Sequence, residues 1–126
     1  MFKEMNKKLY FILTCLFLST IGFMLKLPKV LHEFDKELHF TFYFSAVIVL
    51  SFLYPKKWLS NTFVLSFFGV FIEFSQEYSN KFSIYFTGKK IHGRFDFEDI
   101  IYNILGLIMG LIFYKLVIFL CSLKID

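Results

Sequence analysis

The chain has 126 residues, 57% hydrophobic and 19% charged, with 20 phenylalanines and a formal charge of +4. A soluble domain carries roughly 45–50% apolar and ~25% charged residues, and so small a globule has too little interior for the excess. Disordered chains are poor in aromatics and rich in charge, so disorder is excluded, and two cysteines are too few for a disulfide scaffold. What fits is a single integral membrane domain over residues 1–126, provided that the chain contains segments able to span.

The first such segment lies at about 9–27, behind Lys3, Lys7 and Lys8. No small-x-small cleavage site follows it, so it reads as an uncleaved span rather than a removed leader. The second, 38–54, begins at Leu38-His39 and stops at Pro55. The third, 58–77, starts behind Lys56-Lys57 and carries Glu73 near its end. The fourth, 99–123, is interrupted only by Lys115. A straight span needs about 20 residues, within a range of ~17–25. Lipid-facing strands would alternate apolar and polar residues, whereas these runs are apolar on every face. The expected fold is therefore all-α, a four-helix transmembrane bundle. Residues 78–95 read as a long aromatic loop, lying in the headgroup layer or folding over a site.

Basic residues sit in short clusters between the runs rather than in one patch, as in membrane proteins and unlike nucleic-acid binders. No nucleic-acid partner is expected; the lipid bilayer is. Lysines are divided almost evenly between the two sides, but those beside the first helix place both termini in the cytoplasm.

Alternating direction puts the start of the second span, the end of the third and the start of the fourth on one membrane side. These places hold nearly all the unusual polar residues: Asp35, Lys36, His39 and Tyr43; then Glu73, Gln76 and Glu77; then Arg94, Asp96, Asp99 and Asn103. Spacings of three and four put His39 with Tyr43, Glu73 with Gln76, and Asp99 with Asn103 on shared helix faces. Asp96, Asp99, Asn103, Gly106 and Gly110, at steps of three, four, three and four, make a stripe down the fourth span, and Gly106 with Gly110 is a small-xxx-small pair that admits a close helix. Gly69, four before Glu73, gives the third span a similar face. The polar stripes are expected to face one another, because a charge facing lipid at a helix centre costs roughly 2.5–3.5 kcal/mol on insertion scales. Arg94 is the natural counter-charge for Glu73, with Lys36 and His39 as alternatives.

Asp35-Lys36-xx-His39 followed by Tyr43-Phe44 resembles the entry motif of the VanZ-like membrane proteins. Glu73-xx-Gln76 resembles their ExxQ, and Arg94 with Asp99 and Asn103-xx-Gly106 their R…D…NxxG. The resemblance covers about residues 35–110, with the elements in order. It implies a four-helix protein of the bacterial inner membrane, in a family whose founding member is associated with teicoplanin resistance.

His39 can serve as a general base, a metal ligand or a plain hydrogen-bond partner to Asp35 or Tyr43. Asp99 and Asn103 can cap and clamp their helix, and Glu73 with Gln76 can bind a headgroup, move a proton or hold helices together. No HExxH motif or cysteine pair supports a metal, and no cofactor motif is present. Three functions follow. The cluster binds a lipid-linked or amphiphilic envelope component, it catalyses acid–base chemistry on one through Glu73 or His39, or it only holds the helices together.

Overall fold

The computed structural model describes residues 2–25, 28, 30, 33–91 and 95–123, with side chains from residue 7. Four helices account for most of them: α1 (Phe2–Met24), α2 (Asp35–Leu53), α3 (Trp58–Thr87) and α4 (Phe97–Ser122). No strand occurs among the described residues. All four helices are long and apolar enough to cross a membrane, with mean hydropathies of 1.4, 1.3, 1.3 and 2.5 over their most apolar windows.

Local chemistry explains where the helices begin and end. In α1 the hydroxyls of Ser19 and Thr20 donate to the carbonyls of Cys15 and Leu16, which keeps them satisfied inside an apolar helix. Pro55 lacks a backbone N–H and disfavours helix before it, so α2 ends at Leu53 and a short 3-10 turn, Pro55–Lys57, follows. The side chain of Asp96 accepts from Glu98 N at 2.8 Å and caps α4. The cap expected at Asp99 thus falls three residues earlier.

Helix α3 corrects the third span, expected to end at Glu77, and the loop expected over 78–95. The helix runs on to Thr87, and only residues 88–96 separate it from α4. From Trp58 to Thr87 there is no proline and a single glycine, Gly69, so nothing interrupts the helix. Phe82 and Phe86, one turn apart, add a ring contact with centroids 4.7 Å apart. The stop is Gly88, at φ 69°, whose N–H returns to Ile84 O at 3.0 Å; this left-handed terminus suits a residue without Cβ. Thirty residues of helix extend about 45 Å, more than the ~30 Å of a hydrocarbon core. Glu73 therefore sits at the middle of α3 and not at its exit.

The chain divides into two compact units. One comprises 1–28 with 72–95, and the other 29–71 with 96–126.

In the second unit α2 and α4 run parallel. His39 meets Asn103, Phe44 meets Phe113, and Phe52 meets Tyr114, in the same general direction along both helices. The pair can lie this close because of the glycines. A Cβ on Gly106 would stand 2.5 Å from Phe40 O, and one on Gly110 would stand 2.7 Å from Phe44 O. The small-xxx-small expectation is met, with α2 as the close neighbour. The first half of α3 joins them through Asn61, which donates to Leu50 O at 3.2 Å, and through Trp58, whose ring centroid lies 4.3 Å from the Lys115 ammonium.

In the first unit, Gln76 Nε2 donates to Phe23 O at 2.8 Å and ties α3 to the end of α1. The rings of Phe74 and Phe95 lie 5.5 Å apart.

Burial is inverted relative to a soluble protein. The buried residues include His39, Ser51, Glu73, Gln76, Asn80, Ser83, Asp99 and Asn103 beside a few apolar ones, and no phenylalanine among the described residues is buried. Phe17, Phe63, Phe67 and Phe74 are all exposed by 60% or more. Apolar groups outside and polar groups inside is the arrangement that lipid as solvent selects.

Candidate functional site

Because α2 and α4 are parallel, their N-termini lie at the same end of their unit. Both first turns are acidic, with Asp35 and Glu37 on one and Glu98 and Asp99 on the other, which suits the positive end of each helix dipole. Lys36 pairs with Glu98 across the two helices. Lys36 was an alternative counter-charge for Glu73, but its pairing here is with Glu98, on the exposed rim.

The centre of the cluster is His39, 2% exposed. Its Nδ1 lies 2.9 Å from Asn103 Oδ1. A carbonyl oxygen can only accept, so Nδ1 carries the proton and donates. Nε2 then faces two carboxylates, 3.9 Å from Asp35 Oδ1 and 3.9 Å from Asp99 Oδ2. Asp99 is 5% exposed, and its Oδ1 makes no hydrogen bond among the described residues; nor does the Asn103 amide nitrogen. Tyr43, one turn below His39, is 1% exposed. A Cβ on Gly69 would lie 2.9 Å from Asn103 Nδ2 and 3.0 Å from the Tyr43 hydroxyl, so the third helix is also pressed against these groups.

Of the residues singled out by sequence, Asp35, His39, Tyr43, Asp99 and Asn103 thus come together, with Gly69, Gly106 and Gly110 as the close-approach points. Asp35, one of the partners expected for His39, stands at ion-pair distance from Nε2, and Asn103, from another helix, is at hydrogen-bond distance from Nδ1. Arg94, the expected counter-charge for Glu73, lies outside the described residues.

Glu73 and Gln76 belong to the other unit. Glu73 is fully buried and Gln76 is 7% exposed. Their stripe continues through Asn80 and Ser83, at steps of four and three, which a helix ending at Glu77 conceals. Asn80 Oδ1 accepts from Ile91 N at 3.2 Å, and Ser83 Oγ donates to Lys89 O at 2.8 Å, so these two fasten the segment after α3 onto the helix. The periodic polar spacing was the available signal. Glu98 was also missed; its signal was a first-turn acid that parallel helices bring beside Lys36.

Gln76→Leu is expected to lower stability by about 0.6–2 kcal/mol, the range for hydrogen bonds between membrane helices. Thermal unfolding in detergent, or release of α1 to protease, would measure it.

The fold and cluster define an all-helical chain with four helices fit to cross a membrane and a buried polar centre between parallel helix ends. Comparisons with family models, curated proteins and solved structures find no match.

Proposed function

We propose that this is a VanZ-like integral protein of the bacterial inner membrane. Its polar cluster binds a lipid-linked or amphiphilic component of the envelope, and that binding contributes to resistance to teicoplanin-type glycopeptides. The observation that carries the reading is the contact between His39 of one motif and Asn103 of another, at 2.9 Å, in a cluster with Asp35 and Asp99. Residues 64 positions apart are brought to one end of a helix pair, where a headgroup would meet the hydrocarbon. With both termini cytoplasmic, as the lysines beside the first span favour, the cluster faces outward.

The test is expression in a glycopeptide-susceptible bacterium at matched membrane levels. Wild type is expected to raise the inhibitory concentration of teicoplanin, and Asp99→Asn and His39→Gln to reduce that protection. Equal susceptibility with and without the wild-type protein would reject the reading. The Glu73→Gln variant separates binding from catalysis, since it keeps shape and removes proton transfer. Complete loss of protection at normal protein level favours an enzyme that works through Glu73, and retained protection favours binding at the His39 cluster.

A further inference from the structure

We propose that Asp35, His39 and Asp99 form a binding site for a divalent first-row transition cation, with zinc(II) the best match to one imidazole nitrogen and two carboxylates. The site uses the same cluster as the function proposed above, but zinc binding is read out directly and does not depend on glycopeptide protection. One ligand atom from each residue lies within 4.8 Å of the others, across two helices.

Three further observations point to a cation. First, Asn103 holds the Nδ1 proton of His39, so in the neutral ring Nε2 presents its lone pair on the side of the two carboxylates. Metal-ligating histidines are oriented in this way, by a hydrogen bond at the other ring nitrogen. Second, Asp99 is more than nine-tenths buried: its Oδ2 faces His39 Nε2 at 3.9 Å, beyond hydrogen-bond length, and its Oδ1 has no hydrogen-bond partner among the described residues, so a buried carboxylate lacks a donor. Third, the lysine beside the cluster, Lys36, is engaged with Glu98. Two carboxylates around a lone pair repel, and a cation converts that repulsion into attraction.

The dimensions permit it. Zinc takes nitrogen and carboxylate ligands at about 2.0–2.2 Å, so a tetrahedral ion would bring its ligand atoms to roughly 3.4 Å apart. The Nε2 to carboxylate separations are 3.9 Å, and small side-chain rotations close the difference. Three protein ligands leave one position open to water or an anionic group.

The experiment uses the full chain, purified in detergent, treated with chelator and titrated with zinc chloride. Metal content is measured after desalting, and unfolding is followed by the fluorescence of Trp58, the single tryptophan. The expected result is one ion per chain and a saturable rise in melting temperature. Asp35→Asn, at the half-buried edge of the cluster, should fold and lose both; Asp99→Asn should do the same. Glu77→Gln, an acid paired with Lys81 outside the cluster, should retain both. Absence of a stoichiometric ion in wild type would overturn the proposal. So would zinc binding of equal strength in Asp35→Asn, which would place the metal on other histidines or cysteines.

Discussion

Gly106→Leu is expected to unfold the α2–α4 pair or drive it apart. A Cβ at this position would meet Phe40 O at 2.5 Å, Phe44 N at 3.1 Å and Phe40 C at 3.2 Å. All three are backbone atoms of a helix, so none can rotate away as a side-chain end would. Overpacking a tight interface costs typically about 1–3 kcal/mol, and more where backbone must move. Even Gly106→Ala should lower the melting temperature in detergent, and Gly106→Ala with Gly110→Ala should lower it further. Gly22→Ala is the control, because nothing lies within 4 Å of its added Cβ. There the helix gains from alanine, by up to about 1 kcal/mol. Equal melting of Gly106→Leu and wild type would contradict the close packing of α2 on α4.

His39→Ala should be nearly as damaging, because it strips a buried polar cluster of its centre. The substitution removes the donor to buried Asn103 Oδ1 and leaves Asp35 and Asp99 facing each other without the ring between them. A buried acceptor left unsatisfied costs about 1–3 kcal/mol, and the cavity left by the ring adds to it. The double variant His39→Ala/Asp99→Ala should recover part of the loss, since it also removes the carboxylate left behind. Coupling between contacting groups of this kind is about 0.5–3 kcal/mol. Strict additivity of the two single variants in thermal unfolding would show that they do not interact.

Much of this architecture is legible in composition and spacing. Four apolar stretches between clusters of lysine require helices, because lipid leaves backbone groups no other partners than those of a helix or a closed barrel. Helical periodicity alone gives the stripe Asp96, Asp99, Asn103, Gly106 and Gly110; the last four are buried in α4, whereas Asp96 stands just before the helix as its cap. Topology does the rest for α2 and α4, since one intervening span makes them parallel and sets both acidic ends on one side.

What the tertiary structure decided is which groups touch. Helical spacing ranks neighbours on one helix but says nothing about the rotation of two helices against each other. That Asn103 lies at hydrogen-bond distance from His39, and Glu98 opposite Lys36, depends on that rotation. It is set where Gly106 and Gly110 admit the backbone of α2 and nothing larger could. The length of α3 was likewise hidden, because its last turns are held by polar side chains and Gly88 rather than by an apolar run.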